Sequence, residues 1–278
     1  MKRIKPIKRL LLIVLVIYIA WCGALYFAQD SLMFPASLAG PGNAGPGDDR
    51  TIVLHTPIDG GKLVEAWFIP APAATEKDPA PVVAFFHGNA ELIDHQMDMV
   101  SGYHDLGISV LLPEFRGYGR SEGKATETAI VNDALKFIDM IRRRSDVDGS
   151  ALIIHGRSIG GAIAAQVAAK QPPAALILQS TLYNAAKKAH HFGAPAILLK
   201  NPMRTDRAVT SLDIPMLFFH GTHDRIIPPT HGRDLSRLVP HARYIEYDTD
   251  HNHFPGPGNG ADYWRQIESL LRETKMIE

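Results

Sequence analysis

The chain has 278 residues, 46% of them hydrophobic and 21% charged, with 23 Gly and 20 Pro, a balance that excludes disorder, collagen and coiled coil. Its single cysteine excludes an internal disulfide framework and a Cys-based zinc cage. The 29 basic residues equal the 29 acidic ones, which argues against a nucleic-acid binder that neutralises many phosphates; five of them (Lys2, Arg3, Lys5, Lys8, Arg9) precede the first acid, Asp30, and leave the body mildly acidic.

Residues 10–28 (LLLIVLVIYIAWCGALYFA) carry no charge and, at about 1.5 Å per helical residue, span close to 30 Å, roughly the hydrocarbon thickness of a bilayer. Trp21, Tyr26 and Phe27 suit interfacial aromatics on a retained signal anchor better than a cleavage region, which needs small residues. Trp21 before Cys22 likewise speaks against lipoprotein processing. A cleaved signal and a buried helix are the alternatives. The positive-inside rule puts residues 1–9 in the cytoplasm and the body across the membrane, in the periplasm if the protein is bacterial.

Residues 35–47 (PASLAGPGNAGPG) have neither charge nor hydrophobic period and read as a flexible spacer. The expected division is therefore a tip and anchor over 1–29, a linker over 30–50 and one domain over 51–278. That domain opens with strands 51–55 and 62–69 around Asp59-Gly60-Gly61, a hairpin signal. Residues 70–81 are a proline-punctuated loop. From Val82 onward, short apolar runs at 82–86, 109–112, 151–155, 174–178, 214–219 and 243–247 alternate with helical segments at 91–106, 126–143, 159–170, 230–238 and 258–272. Such runs are what a mostly parallel sheet with helices on both faces requires. Residues 181–211 contain no clear strand and are too long for a connector, so they suggest a lid.

Gly156-Arg157-Ser158-Ile159-Gly160 lies between an apolar strand and an Ala-rich helix, where a tight strand-to-helix turn exposes Ser158 as a nucleophile. The flanking glycines are needed where the chain reverses against strand and helix. The helix N-terminus favours negative charge beside Ser158. A serine needs a base, and the base needs an orienting carboxylate. Asp224 supplies the acid from a loop directly after an apolar strand, on the same sheet edge. Both His251 and His253 are available as the base; His251, nearer the strand end and followed by Asn, is preferred. The oxyanion donors are the backbone N–H of Ile159 and that of Asn89, in His87-Gly88-Asn89-Ala90, where Gly88 permits a sharp turn. His87 itself reads as a turn-stabilising residue. His220, His223, His251 and His253 are explained by these loops without a metal.

These motifs resemble the α/β-hydrolase superfamily, and more closely its membrane-anchored Bem46-like and ABHD13/ABHD17-like serine hydrolases. The resemblance covers roughly residue 29 to the end. It rests on His87-Gly88-Asn89, Arg116-Gly117-Tyr118-Gly119 with Ser121 and Gly123, Gly156 to Gly161, Gly221-Thr222-His223-Asp224 with Pro228, and His251-Asn252. Asp30-Ser31-Leu32-Met33-Phe34-Pro35 is also similar to the way relatives lead from anchor to domain. The resemblance implies an α/β-hydrolase fold and the roles already given to Ser158, Asp224, His251, Asn89 and Ile159. Two positions depart from it: Glu114 stands where many relatives have Asp, in a loop expected to be mainly structural, and Asp250 with the second histidine, His253, leaves the base less secure.

The expected activity is hydrolysis of a carboxylic ester or thioester through an acyl-enzyme, with no cofactor. The substrate is a small-molecule or lipid-like acyl ester, the membrane is reached through the N-terminal helix, and no nucleic acid is involved. A peptidase or amidase on the same triad, or a non-catalytic binding protein, are the alternatives. Ile197, Leu198 and Leu199, near Lys187, Lys188 and Lys200, suit either a lipid substrate or, more simply, an amphipathic lid helix.

Overall fold

The computed structural model describes residues 6–40, 42, 45–189 and 193–278; Lys2, Arg3 and Lys5 of the basic tip and the pair His190-His191 lie outside them. The unbroken apolar run forms one helix, α1 (Pro6–Met33), long and apolar enough to cross a membrane, as both anchors and signal sequences are. Residues 10–17 of α1 are each more than half exposed, so this part buries nothing in the domain.

The helix does not end at residue 29, where the linker was expected. The Asp30 carboxylate is buried and taken up by Lys124 Nζ at 2.7 Å and Asn201 Nδ2 at 2.9 Å. Phe34 then enters the core. The first residues after the apolar run are thus part of the domain, and a 3-10 turn follows at Ala36–Leu38.

Strands β1 (Ile52–Pro57) and β2 (Leu63–Ile69) pair antiparallel, Ile52 opposite Phe68 and Pro57 opposite Leu63. Gly60 and Gly61, at φ +78° and +74°, make the reversal between them. Then follow β3 (Ala80–Phe86), α2 (Met97–Asp105), β4 (Ser109–Pro113), α3 (Glu127–Ile141), β5 (Val147–Arg157), α4 (Ile159–Lys170) and β6 (Ala175–Gln179). The chain continues through α5 (Ala185–Ala189), α6 (Thr205–Thr210), β7 (Met216–Gly221), α7 (Thr230–Leu238), β8 (Arg243–Tyr247) and α8 (Gly260–Glu273). The eight strands form one sheet in the order β1-β2-β4-β3-β5-β6-β7-β8, with β1, β2 and β4 antiparallel to their neighbours in that run and every later pairing parallel.

Alternation along the central strands makes two cores. Val82, Ala84 and Phe86 of β3 and Leu152 and Ile154 of β5 face Phe137, Ile163, Val209 and Leu235 on α3, α4, α6 and α7. Val83, Phe85 and Ile153 face Tyr103, Ile267 and Leu271 on α2 and α8. Each fully buried Phe, Leu or Ile contributes roughly 1.5–3 kcal/mol, which is what fixes the sheet between its helices.

Two segments differ from the sequence reading. The helix expected over 91–106 begins later: Ile93–His95 is a 3-10 turn and only Met97–Asp105 is α-helical, because Glu91 and Leu92 serve the loop after β3. The amphipathic lid helix expected at Ile197 to Lys200 is absent; Ala196–Leu198 is a single 3-10 turn after Pro195, and Ile197 points outward.

Candidate active site

Parallel pairing puts the C-terminal ends of β3, β5, β7 and β8 on one edge of the sheet, with Phe86 opposite Gly156 and Gly221 opposite Tyr247. Ser158 follows β5 at φ +55°, ψ −121°, a pose that L-residues rarely adopt and that costs of order 1–3 kcal/mol. Neighbouring backbone leaves no alternative to the two motif glycines. A Cβ on Gly156 would overlap the Gly160 carbonyl, and one on Gly160 would overlap the carbonyls of Phe86 and His87. The loop after β3 and the turn after β5 are thereby in contact.

Ser158, Asp224 and His251 converge, and all three are buried. His251 Nε2 lies 3.0 Å from Ser158 Oγ, and His251 Nδ1 lies 2.6 Å from Asp224 Oδ2. Two backbone bonds bind the loops that carry acid and histidine: Thr222 N–H donates to Tyr247 O at 2.9 Å and His223 N–H to Thr249 O at 3.0 Å. A Cβ on Gly221 would stand 2.6 Å from Thr249 O, so this crossing needs a glycine.

Burial pushes the Asp224 carboxyl up, but His220, His251 and the N–H of Ile227 outweigh it and hold the group well below the usual carboxylate range. Ile226 and Ile227 donate their N–H groups to Oδ1 at 2.9 and 2.7 Å, leaving Oδ2 for His251.

His253 is not part of this cluster. Its ring is exposed and pairs with Asp250, three residues back, at 2.9 Å. His223 likewise faces outward with Asp248, while His220 is buried and 3.4 Å from Asp224 Oδ2. Among the described residues no group of three or more His, Cys, Asp or Glu is arranged to hold a metal ion.

The N–H of Ile159 is the first of α4 and has no intrahelical acceptor. Asn89 is held by its side chain: Nδ2 donates to Met33 O at 3.0 Å, and Tyr118 Oη–H donates to Asn89 Oδ1 at 2.7 Å. Ala90, the next residue, takes φ +58°, so the chain turns sharply directly after Asn89.

Two pairs that sequence reasoning did not assign to the site, one buried and one partly buried, support these loops. His87 Nε2 is 2.8 Å from Glu114 Oε1, and Glu114 also accepts from Phe115 N–H at 3.0 Å and Ile93 N–H at 3.2 Å. Burial alone lowers the His87 pKa, but the adjacent Glu114 charge raises it above the ordinary value. Arg157, inside the serine motif, pairs with Glu91 and donates to the His251 carbonyl at 3.1 Å. Glu91 in turn accepts from Gly88 N–H at 2.9 Å. One guanidinium thus joins the β3 loop, the serine turn and the histidine loop. Its only sequence signal is a charged residue where strand and helix meet.

A family profile described as "Serine aminopeptidase, S33" (Hydrolase_4) matches residues 77–203. An uncharacterised protein of Mycobacterium tuberculosis is 30% identical over 233 residues, covering 82% of this chain and 81% of that one. The chain belongs to the α/β-hydrolase family. It is also similar to the α/β-hydrolase domain-containing protein WAV2 of Arabidopsis thaliana, 28% identical over 286 residues and 92% of each chain. The fold matches that of Thermogutta terrifontis esterase 2 with TM-score 0.68 at 16% identity, over 84% of this chain and 98% of the esterase. Other structural neighbours of this hydrolase include peptidases. The family and fold implied by the five motifs are borne out.

Proposed function

We propose that the protein is a membrane-anchored serine hydrolase that cleaves a carboxylic ester or thioester. The observation that carries this reading is the chain of contacts from Ser158 Oγ through His251 to Asp224, at 3.0 and 2.6 Å. With Nδ1–H donated to Asp224, His251 presents the Nε2 lone pair to the serine hydroxyl. It takes the proton as Oγ attacks the acyl carbonyl, and returns it to the departing alcohol or thiol. The N–H groups of Ile159 and Asn89 receive the negative charge on the carbonyl oxygen, each worth roughly 10²–10³ in rate. Water activated by the same histidine then releases the acid. Ionised Asp224 stabilises the imidazolium formed in both steps. These steps use only the protein's own side chains and backbone N–H groups and water, so no cofactor is assigned.

The family description favours a second reading, an aminopeptidase on the same residues. An aminopeptidase needs a carboxylate to take the substrate ammonium, whereas Asp224 and Glu91, the acids tied to the serine turn and the histidine, already pair with His251 and Arg157. The ester reading is therefore preferred. Helix α1 is read as the uncleaved anchor, with its basic N-terminus in the cytoplasm and the domain across the membrane.

The test is fluorophosphonate labelling of the full chain in detergent, followed by paired p-nitrophenyl ester and p-nitroanilide substrates. Labelling of the native chain and none of Ser158→Ala is expected, with ester cleavage well above anilide cleavage. A folded chain that takes no label defeats the catalytic reading; anilide cleavage matching ester cleavage turns it toward the peptidase.

A further inference from the structure

Residues 193–201 run alongside α1. At one end Gln29 clasps them, Nε2 donating to Leu198 O at 3.0 Å and Oε1 accepting from Lys200 N–H at 2.7 Å. At the other, Tyr18 Oη–H donates to Gly193 O at 3.0 Å. Tyr18 and Gln29 are eleven residues apart on the helix, about 16 Å at 1.5 Å per residue, which is close to half of a ~30 Å hydrocarbon layer. Where α1 spans a bilayer, the segment Gly193-Ala194-Pro195-Ala196-Ile197-Leu198-Leu199 is carried into it.

The segment is built for that place. It has no charge, and Ile197, 91% exposed, is the most exposed large hydrophobic residue among those described. Several backbone groups that hydrocarbon would leave unsatisfied are closed internally. Pro195 has no N–H, its carbonyl accepts from Leu198 N–H at 3.0 Å, and Ala196 O accepts from Leu199 N–H at 3.1 Å. Gly193 O and Leu198 O are taken by α1 side chains. Where the segment leaves, Lys200 Nζ lies 4.3 Å from the Tyr26 ring centroid and 3.8 Å from Asp30, a cation and an aromatic at the expected interface. Beside the segment is an apolar cavity of about 440 Å³, open to the outside and lined by Tyr18, Ile19, Cys22, Gly23 and Tyr26 of α1 and by Leu198 of the segment.

We propose that residues 193–199 are a membrane-seated loop: they insert beside α1 into the leaflet on the domain's side, and the cavity beside them takes the acyl chain of a bilayer phospholipid. The proposal rests on α1 being a retained anchor and does not depend on the chemistry of Ser158.

The full chain, with Cys22→Ala to remove its thiol, is reconstituted in phosphatidylcholine vesicles carrying a nitroxide on Ile197→Cys, on Leu15→Cys, or on Leu238→Cys as an aqueous reference. Relaxation by oxygen against a water-soluble nickel chelate reports depth. The ratio at Ile197 is expected to match that at Leu15 and to exceed that at Leu238 severalfold. A hydrocarbon signal at Leu15 with an aqueous one at Ile197 overturns the seated loop and leaves the anchor standing; aqueous signals at both overturn the anchor and the loop with it. For the cavity, a phosphatidylcholine with a diazirine in its acyl chain is expected to crosslink peptides containing Tyr18 or Leu198, with severalfold loss in Leu198→Trp while the Ile197 label stays buried. Absence of those crosslinks, or crosslinks unchanged in Leu198→Trp, overturns the acyl-chain site.

Discussion

The sheet edge that holds Ser158 and the junction between α1 and residues 193–201 both join distant parts of the chain, by different means. At the sheet edge, parallel register aligns the ends of β5, β7 and β8, and each carries its side chain within a few residues of the strand. At the junction no ladder aligns anything; single side chains grip backbone carbonyls 169 and 175 residues away. Position set by a ladder is written locally, as an apolar run followed by glycine and a reactive residue. Position set by one side chain on one carbonyl leaves no such pattern.

Substitutions at the sheet edge should therefore act on chemistry, and the largest effect separates the two histidines. His251→Ala is expected to lower ester hydrolysis by roughly 10⁴-fold or more. His253→Ala, which removes only an exposed pair with Asp250, should leave it within about twofold. Steady-state rates on a p-nitrophenyl ester decide it, and comparable losses in both would mean that the 3.0 Å contact of His251 is not the working one.

The next effect is on stability. Glu114→Ala strips the buried partner from His87 and the acceptor from two backbone N–H groups, at a cost of about 3–5 kcal/mol by denaturant unfolding in detergent. Away from the sheet edge, Lys187→Ala breaks a partly exposed pair between α5 and Asp234 of α7 and should cost no more than about 1 kcal/mol. Equal losses would erase the contrast between a buried pair behind the sheet edge and an ion pair near the surface.

Acid separates the regions again, because the titrating groups of the sheet lie inside it. Burial lowers His155 from 6.5 to about 3, and its Nδ1 is 2.8 Å from Tyr103 Oη. Between those values the unfolded chain binds a proton that the folded chain refuses, so stability is full above pH 6.5 and falls as pH drops. His155→Gln removes this dependence; from pH 7 to 5 the native protein should lose about 2 kcal/mol more than the variant. Asp224 acts lower, since its folded value is depressed: its contribution is present above the ordinary 3.8 and is lost only as pH falls below it. Parallel pH curves for native protein and variant would mean that His155 is not buried neutral.

Much of the sheet edge was legible because its determinants are short-range. Strand Arg243–Tyr247 and helices Ile159–Lys170 and Thr230–Leu238 have the bounds that the apolar pattern and the punctuating Gly and Pro indicate. The same pattern brought Ser158 and Asp224 to one edge, yet it gave His251 only a preference over His253, since two residues of loop decide which ring turns inward. Arg157 with Glu91, and Glu114 with His87, were not assigned to the site because a charge beside a strand end looks the same whether it faces solvent or a partner. Asp30 misled for a related reason: as the first acid after an apolar run it marks a boundary by composition, while its buried bonds to Lys124 and Asn201 carry the helix on to Met33.

The smallest effect sharpens the comparison most. Gln29 makes two bonds to residues 198 and 200 and one to Tyr26 O, all near the surface. Gln29→Leu keeps the helix and the apolar contact but removes the clasp. Each lost bond is worth about 0.5–1.5 kcal/mol, shared with water where water can enter. The amide of Lys200, which has Gln29 Oε1 as its acceptor, should exchange faster with deuterium, as should its neighbours in 193–201. The amides of β5 and β7 should not change, and the unfolding midpoint should move by no more than a few degrees. Such a result would make the junction a local unit that opens apart from the sheet. A global fall in protection would instead make α1 a structural member of the hydrolase domain, joined to it through Asp30, Phe34 and the bond from Asn89 to Met33.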